Sequence, residues 1–482
     1  MTQTKQKLTN WRWWMCLLLF VATTVNYLDR QVLSLTWKDF IAPEFHWTDS
    51  DYGTITGFFS IFYAIACLFA GKFVDWMGTK KGYLWAIGVW SLGACMHAGC
   101  GWVTMQIEGY SSLEALRAIE AGSTAAMAVA GVSVWLFLAC RAILALGEAG
   151  NFPAAIKVTA EYFPKKDRAL ATSLFNAGAS VGALAAPLTI PILASAWGWE
   201  MAFIIIGVLG FVWMFFWVFM YEKPQVSKHV NEAELAYMLQ DEETEPKEAK
   251  TAVEEKTIPF LQCFGYKQTW SFIVGKFFTD GVWWFYLFWA PAYFSECGYS
   301  METTMGKMLV FVLYLIVTVI SIGGGYLPKY FVEQKRMEPY SGRMLAMLIF
   351  AFFPLFALFA QPLQGISVWF PALIIGIAGA GHQAWSANLF STIGDMFPKS
   401  TIATITGIGA MAGGCGSFLI NKGAGVLFDY AAGQGEAFTF VGFSGKPAGY
   451  MIIFCICAVA YLLAWAIMKT LVPKYKPIVL NK

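Results

Sequence analysis

Long apolar runs separated by short polar segments make up most of this chain. Each run is about 20 residues long, which is the length of α-helix needed to cross roughly 30 Å of hydrocarbon. The pattern therefore predicts an all-α polytopic membrane protein with twelve transmembrane helices, here called spans 1 to 12. The runs lie at residues 13–36, 50–71, 83–103, 132–156, 168–192, 199–221, 268–292, 304–328, 343–361, 366–394, 399–429 and 449–471.

The segment between spans 3 and 4 does not follow this pattern of apolar runs and short polar segments. Residues 105–134 contain Glu108, Glu114, Arg117 and Glu120, which interrupt an otherwise apolar stretch. The stretch is ambiguous for that reason, and we interpret it as holding a short helix that lies at the membrane surface.

The composition agrees with a polytopic membrane protein. Hydrophobic residues make up 58% of the chain and charged residues only 13%, against about 25% charged residues in soluble domains. The net charge of +2 gives no reason to expect a nucleic-acid partner. Most of the ten cysteines fall inside spans, where cysteine is usually a small core residue, so no disulfide scaffold, metal or cofactor is expected.

Lysine and arginine predict the orientation of the chain in a bacterial inner membrane. If the N-terminus is inside, the outer segments hold only Lys38, Arg117, Lys307 and Lys446, and the inner segments hold many more basic residues. This asymmetry is what the positive-inside rule requires, so both termini are expected in the cytoplasm. The first apolar run is too long for the core of a signal peptide, so we expect it to remain as span 1.

A polar segment divides the chain into two sets of six spans. Residues 222–262 are rich in Glu, Lys and Pro, and they are interpreted as a cytoplasmic linker with a surface helix near residues 232–241. The predicted domains are therefore residues 1–221 and 263–482.

An internal repeat supports this division. Glu161-Tyr-Phe-Pro-Lys165 recurs as Asp395-Met-Phe-Pro-Lys399, and the same offset places Glu148 on His382. Parallel repeats of six spans predict two bundles related by a pseudo-twofold axis along the membrane normal. Such bundles hold a substrate at the midplane between them.

Four ionisable residues lie within apolar runs. They are Asp29 and Arg30 in span 1 and Arg141 and Glu148 in span 4. An ionisable group at bilayer depth costs roughly 2.5–3.5 kcal/mol on insertion scales, so such residues indicate function by default. A charged solute that crosses the membrane is the simplest reason to keep them there.

Several motifs resemble those of known transporter families. The loop Gly71-Lys-Phe-Val-Asp75-Trp-Met-Gly78-Thr-Lys80-Lys81 resembles the signature loop of the major facilitator superfamily. Asn26-Tyr-Leu-Asp-Arg30 resembles the anion:cation symporter branch of that superfamily. Gly275-Lys-Phe-Phe-Thr-Asp-Gly-Val-Trp-Trp-Phe-Tyr-Leu-Phe-Trp289 and His382-Gln-Ala-Trp-Ser-Ala-Asn388 are similar to segments of hexuronate transporters. The resemblance covers nearly the whole chain; the sequence departs from the family pattern at residues 105–131 and in the central loop. It implies proton-driven uptake of glucuronate or galacturonate.

A hexuronate requires a fixed cation, hydrogen-bonding side chains and a flat apolar face. Arg30 is the expected cation, because a guanidinium meets a carboxylate with two parallel hydrogen bonds and stays charged. The alternative is that Arg30 only neutralises its surroundings. The expected sugar contacts are Tyr27, Trp284, Tyr286, Gln383 and Asn388.

Proton coupling is assigned to the remaining ionisable groups. Arg141 and Glu148 are seven residues apart, about 10 Å of helix rise, so they cannot pair directly. Asp29 and Arg141 lie at similar depth, which predicts an ion pair between them. Glu148 then has no local cation and is the first candidate for the proton carrier, with Asp29 second. His382 is either a proton relay or an ordinary buried hydrogen-bonding residue.

Two further sets of charges have more modest expected roles. Lys276 and Asp280 are four residues apart on span 7 and are expected to neutralise each other. By analogy with the superfamily, Asp75 is expected, together with Lys80 and Lys81, to gate the inner face by bridging to Asp167 and Arg168 near the start of span 5.

Other functional classes are less well supported. No cluster of His, Cys and carboxylates has the spacing of an enzyme site, and no signalling domain is appended as in a sensor. Among transporters, an exchanger driven by a second organic anion or by phosphate is the alternative, and Na⁺ coupling also stays open. The expected partners are the anionic substrate, a proton and the lipid bilayer, and the expected state is a monomer.

Overall fold

The structure is a computed structural model that describes residues 8–244, 258–398 and 401–478. Each of the twelve predicted spans falls on helix. The helices of the N-terminal half are Trp11–Thr36, Asp49–Met77, Thr79–His97 with Cys100–Glu108, Thr124–Glu148 with Asn151–Tyr162, Lys165–Trp197 and Trp199–Met220. Those of the C-terminal half are Lys267–Glu296, Thr304–Ser321 with Gly323–Glu333, Pro339–Ala351 with Phe353–Phe359 and Ala360–Gln364, Trp369–Met396, Ile402–Gln434 and Lys446–Leu471.

Hydropathy alone recovers only part of this set. In the described chain seven helices are long and apolar enough to cross a membrane, and an eighth span is counted if the pair bent by 50° in span 3 is taken as one. The helices of spans 1, 7, 10 and 11 are not among them. These less apolar helices carry polar groups such as Arg30, Lys276, His382 and Asn421, all of which are buried.

Short elements occupy the loops. Two of them confirm sequence predictions, because a helix lies within residues 105–134 and another within the linker. The short elements are a π-helix at Trp37–Ile41, helices at Ala42–Phe45, Leu113–Arg117 and Glu232–Thr244, 3₁₀ turns at Phe260–Gly265 and Gly435–Ala437, and the antiparallel strands Thr439–Phe440 and Phe443–Ser444.

Spans 1 to 6 pack together as one bundle and spans 7 to 12 as another. Between the bundles, span 2 packs against span 11, span 5 against span 8, and span 1 against span 7. A twofold rotation that exchanges the halves turns the first of these contacts into the second and maps the third onto itself. The predicted pseudo-twofold arrangement of two six-helix bundles is therefore confirmed.

The repeated Phe-Pro motif makes equivalent contacts in the two halves. Glu161, near the end of span 4, accepts a hydrogen bond of 2.5 Å from Thr79 at the start of span 3. Asp395, near the end of span 10, pairs with Arg343 at the start of span 9. The duplication seen in the sequence therefore corresponds to a repeated contact between neighbouring helices.

Glycines allow spans 2 and 11 to approach closely. A Cβ on Gly53 would lie 2.6 Å from the carbonyl oxygen of Asn421, and one on Gly425 would lie 2.3 Å from that of Asp49. Further along, the hydroxyls of Ser60 and Ser417 are 2.7 Å apart. Small residues at such crossings are typical of membrane helices.

The linker helix, Glu232–Thr244, docks under the N-terminal bundle. Glu234 is buried and accepts hydrogen bonds from the backbone nitrogen of Trp11 (3.1 Å) and from Nη1 of Arg12 (3.0 Å). It thereby caps the start of span 1, whose exposed N–H groups favour a carboxylate. We call this side of the molecule the linker end and the opposite side the far end.

Four charged side chains form a closed ring at the far end, here called the far-end ring. Lys38 lies 3.4 Å from Asp49 and 2.5 Å from Glu296, and Lys446 lies 2.5 Å from each of the same two carboxylates. Burial alone would lower the pKa of Lys38, but the carboxylates of Asp49 and Glu296 raise it above its usual value. Lys38 therefore stays charged at neutral pH.

Each bundle contributes one cation and one anion to the far-end ring. Lys38 and Asp49 belong to the first bundle, and Glu296 and Lys446 to the second. Polar contacts between the bundles include this ring, the hydrogen bonds that the backbone nitrogens of Asp49 and Ser50 donate to Asp429, and the Ser60–Ser417 contact. Polar contacts therefore hold the bundles together at the far end.

We predict that a charge swap within one bundle opens the far end. The double variant Glu296→Lys/Lys446→Glu keeps the pair inside its bundle but makes both contacts across the interface repulsive. It also suits the helix dipoles, since it places a cation at the end of span 7 and an anion at the start of span 12. Adding the swap Lys38→Glu/Asp49→Lys should restore closure.

Pulsed electron paramagnetic resonance measures this directly. Spin labels at Glu120→Cys and Glu436→Cys, in a background without the ten native cysteines, report the distance between the bundles at the far end. The single-bundle swap should shift the distance distribution to longer values, and the combined swap should shift it back. An unchanged distribution in the single-bundle swap would show that the ring does not hold the far end closed.

Candidate functional site

Arg30 lies at the centre of the molecule and is paired with Glu148. The residue is 6% exposed, and its Nε and Nη2 donate to Oε2 of Glu148 at 3.0 and 2.8 Å. The expectation that Glu148 has no local cation is therefore wrong. Sequence neighbours of Glu148 supply no positive charge, but span 1 brings Arg30 against span 4.

Three aromatic rings surround the guanidinium of Arg30. Its central carbon lies 4.6 Å from the ring of Tyr63 and 5.3 Å from each of the rings of Tyr27 and Trp284. Aromatic faces attract a guanidinium, so these rings hold the cation in place. Trp284 belongs to span 7, which puts the site at the interface of the two bundles.

Local helix geometry explains the arrangement on span 1. Tyr27 precedes Arg30 by three residues, so the two side chains share one face. Glycine lets span 5 pack against that helix, because a Cβ on Gly182 would lie 2.5 Å from the carbonyl oxygen of Thr24 and 2.9 Å from the Cβ of Tyr27. Tyr63 was missed, because a tyrosine in an aromatic-rich span carries no signal in the sequence.

Asp29 and Arg141 do not form the predicted hydrogen-bonded ion pair in this conformation. Among the described residues, neither carboxylate oxygen of Asp29 accepts a hydrogen bond, and Nη1 of Arg141 has no acceptor. The charges of Arg30, Arg141 and Glu148 all act on Asp29 electrostatically. The prediction was based on the similar depth of the two residues in the membrane, and depth does not determine the direction in which each side chain points.

Arg141 borders a small cavity between the bundles. Its central carbon lies 5.2 Å from the ring of Phe59. The cavity is a narrow crevice with no room for a water molecule, and it is lined by Leu33, Tyr52, Thr56, Phe59, Arg141 and Phe288. Asp29, Arg30, Arg141 and Glu148 are thus all buried, and of these four Arg30 and Glu148 are in direct contact.

His382 belongs to a network inside the C-terminal bundle. Its Nδ1 lies 2.8 Å from the hydroxyl of Tyr461, which donates to the carbonyl of Thr279 at 3.1 Å. The imidazole also stacks on Trp283, with ring centroids 5.3 Å apart. Of its two expected roles, this geometry is that of a satisfied hydrogen-bonding residue, and the relay stays a prediction.

The three other residues of the C-terminal bundle that were expected to contact the sugar do not lie together at Arg30. Tyr286 is buried, and because it follows Trp284 by two residues it lies on the opposite face of span 7. Asn388 donates to the carbonyls of Gly324 (2.9 Å) and Ala384 (2.8 Å), so it ties span 10 to span 8. Gln383 is half-buried on span 10 and stays a candidate.

The expected gating residues have partners other than those predicted. Asp75 pairs with Lys157 of span 4 at 2.8 Å, and Arg168 donates to the carbonyls of Phe163 and Ala160. A helix end leaves carbonyls without partners, and an arginine close in sequence satisfies them. Lys80 contributes its backbone carbonyl to Trp217 at 3.2 Å. A bridge from Asp75 to Arg168 is therefore not present in this conformation, and its role in gating stays a prediction.

Comparison with known proteins now identifies the fold. The sequence profile of the Major Facilitator Superfamily matches residues 19–420. The chain belongs to the Major Facilitator Superfamily. It is therefore a multi-pass membrane transporter and not an enzyme, as the sequence predicted.

Individual relatives are more distant. The chain is 27% identical over 429 residues to the hexuronate transporter of Escherichia coli (strain K12), covering 88% of this chain and 89% of that protein. It is 26% identical to the galacturonate transporter of Dickeya chrysanthemi, over 71% of this chain and 89% of that protein. It is 24% identical to the "Probable galactarate/D-glucarate transporter GarP" of Escherichia coli (strain K12), over 94% of this chain and 96% of that protein.

Solved structures share the fold. A bacterial homologue of the human lysosomal transporter Spinster, inward-facing and unoccupied, superposes with a TM-score of 0.68 at 18% identity, covering 97% of this chain and 99% of that one. The D-xylose-proton symporter superposes with a TM-score of 0.62 at 18% identity, covering 93% of this chain and 96% of that one. At this identity the likeness supports the twelve-helix fold of two bundles.

We predict strong coupling between Arg30 and Glu148 in protein stability. Replacing either one with Gln leaves the other as an uncompensated buried charge, which costs about 3–5 kcal/mol, whereas the double variant leaves none. Denaturation of detergent-purified single and double variants gives the coupling energy.

The pair Asp29→Asn and Arg141→Gln is the matched comparison, because these two residues are buried but not hydrogen-bonded to each other. Its coupling energy should be clearly smaller. Additive effects at Arg30 and Glu148, or a larger coupling at Asp29 and Arg141, would contradict the pairing.

Proposed function

We propose that this protein imports a sugar acid, a hexuronate such as glucuronate or galacturonate, together with a proton and by alternating access. The observation that carries the proposal is the buried Arg30–Glu148 pair within aromatic rings contributed by both bundles. The named relatives that transport hexuronate and galacturonate support the substrate class.

The chemistry of the site fits a carboxylated sugar. The Nε and Nη2 donors of Arg30 form the fork that a carboxylate takes with two hydrogen bonds. Trp284 and Tyr63 offer flat faces beside it, which suit the apolar face of a sugar ring. In this proposal Tyr27 and Gln383 supply hydrogen bonds to the sugar hydroxyls.

Glu148 couples the proton to the substrate. It holds the two donors of Arg30 that the substrate carboxylate would use, so the two carboxylates compete for one guanidinium. Protonation of Glu148 removes its negative charge and releases Arg30 to the substrate. Asp29, which is buried beside both arginines, is the second candidate for the proton.

The conformation corresponds to one state of the cycle. In this proposal the linker end and both termini lie in the cytoplasm, as the positive-inside rule predicts, and the closed far end faces outward. We propose a monomer in a bacterial inner membrane, with domains at residues 1–221 and 263–482 and a linker at 222–262. In the outward-facing state, Asp75 and Lys80 with Arg168 would close the inner face.

The second candidate is a transporter of a sugar diacid or another organic anion, including an exchanger or a Na⁺-coupled carrier. Arg141 favours it, because this buried cation lines a narrow crevice between the bundles and has a donor without an acceptor among the described residues. The relative named for galactarate and glucarate also agrees with it. Counterflow in proteoliposomes against glucuronate, glucarate, an aldonate and a sugar phosphate decides between the two.

We predict that Arg30→Lys loses most glucuronate uptake although the charge is kept. An ammonium cannot reproduce the two parallel contacts, and one charged hydrogen bond is worth about 1.5–3 kcal/mol, or roughly ten-fold or more in affinity. Arg117→Lys is the matched control, because Arg117 lies outside the site, between spans 3 and 4, and pairs with Glu44 from the segment between spans 1 and 2. Wild-type affinity and uptake in Arg30→Lys would eliminate Arg30 as the anchor.

We predict that Glu148→Gln abolishes accumulation driven by a pH gradient but retains counterflow exchange. The amide resembles the protonated acid, so the site still binds substrate but carries no exchangeable proton. Glu44→Gln is the control, since Glu44 is also buried and paired with an arginine, outside the site. If Glu148→Gln still concentrates substrate, the proton carrier is Asp29 or His382.

A further inference from the structure

Another buried ion pair lies on span 7, one helical turn from the aromatic rings around Arg30. The ammonium of Lys276 is 2.6 Å from Oδ2 of Asp280, and each residue is 8% exposed. The pairing confirms the expectation that these residues neutralise each other. Neutralisation does not, however, account for all of their polar atoms.

The pair has hydrogen-bonding capacity left over. Oδ1 of Asp280 is buried and has no hydrogen-bond partner among the residues that the structure describes. An ammonium has three donors, and Lys276 uses one of them on Asp280. A buried carboxylate oxygen without a hydrogen-bond partner costs free energy, so a purely structural role does not explain this arrangement.

The position of Asp280 is fixed by packing. Its Oδ2 lies against span 11, where a Cβ on Gly413 would come within 2.2 Å of it. The ammonium of Lys276 lies 4.9 Å from the ring of Phe390 on span 10. Spans 10 and 11 thus hold both side chains in place, as a recognition site requires.

Helix geometry directs the pair toward the space that Arg30 occupies. Lys276, Asp280 and Trp284 are each four residues apart and therefore share one face of span 7. Trp284 lies at Arg30, so the pair continues the same face toward the linker end. The rise from Trp284 to Asp280 is about 6 Å, comparable with the width of a six-membered sugar ring.

Cys67 on span 2 places the pair opposite the first bundle. It follows Tyr63 by one helical turn, and its thiol interacts electrostatically with Arg30, Glu148 and Lys276. Lys276 therefore acts across the interface on span 2, the helix that also carries Tyr63. Arg30 and the Lys276–Asp280 pair thus belong to opposite bundles, and both lie close enough to Cys67 to act on its thiol.

We propose that Lys276 and Asp280 recognise two neighbouring hydroxyl groups of the sugar while Arg30 holds its carboxylate. A hydroxyl both donates and accepts, so one hydroxyl accepts from the ammonium and its neighbour donates to Oδ1 of Asp280. Hydrogen bonds linked in this way strengthen one another. The subsite rests on the proposed function, and it makes the pair a determinant of specificity for polyhydroxylated acids over plain carboxylates.

The test compares two ligands that share a carboxylate and a ring but differ in hydroxyl groups. Glucuronate and tetrahydropyran-2-carboxylate are titrated by calorimetry into the detergent-purified full chain. In Lys276→Gln and in Asp280→Asn, the affinity for glucuronate should fall about ten-fold or more. The affinity for tetrahydropyran-2-carboxylate should stay within about two-fold of wild type.

Two further variants separate recognition from folding. Lys276→Met/Asp280→Leu removes both charges and leaves neither one stranded; it should keep the wild-type melting temperature and show the same selective loss. Lys329→Gln/Glu333→Gln removes the exposed pair with the same spacing on span 8 and should change neither affinity.

The possible outcomes are distinct. Equal losses for both ligands in all the pair variants would show that the pair only supports the fold, which overturns the subsite. Unchanged glucuronate affinity in these variants would overturn it as well. Failure of wild type to bind either ligand would instead count against the proposed function itself.

Discussion

The buried contact between Arg30 and Glu148 is the interaction on which the rest of the structure depends. A guanidinium or a carboxylate alone at this depth would cost several kcal/mol, and each is tolerable because the other is present. Close packing makes the contact possible: a Cβ on Gly147 would lie 2.3 Å from the backbone nitrogen of Trp90, so glycine lets span 4 press against span 3 beside Glu148. The rings of Tyr63 and Trp284 then hold the cation from both bundles.

The same requirement for paired charges governs the interface between the bundles. Two bundles that move against each other must not strand a charge in either state. At the far end this is achieved because each bundle supplies its own cation and anion: Lys38 stays near Asp49, and Glu296 stays near Lys446, when the interface separates. At the centre, Arg30 needs a replacement partner whenever Glu148 loses its charge, and a carboxylated substrate is such a partner.

The sequence was sufficient for the fold and for part of the site. Run length predicted all twelve spans, and the Phe-Pro repeat predicted two related bundles, because both depend on local patterns. The cation, Tyr27 and Trp284 were also predicted. The partner of Glu148 was not predicted, and the predicted contact between Asp29 and Arg141 is absent from this conformation. Span length gives the depth of a residue but not its direction around the helix. Tyr63 was missed because only packing distinguishes it from other span aromatics, and Asn388 turned out to satisfy helix carbonyls.

The central claim is that the substrate carboxylate and Glu148 compete for Arg30, which requires Glu148 to take up a proton when substrate binds. Calorimetric titration of glucuronate at neutral pH, in two buffers with different ionisation enthalpies, measures the number of protons bound per substrate. The account predicts a value close to one for wild type and close to zero for a Glu148→Gln variant that still binds glucuronate. Glucuronate binding to wild type without proton uptake would contradict it.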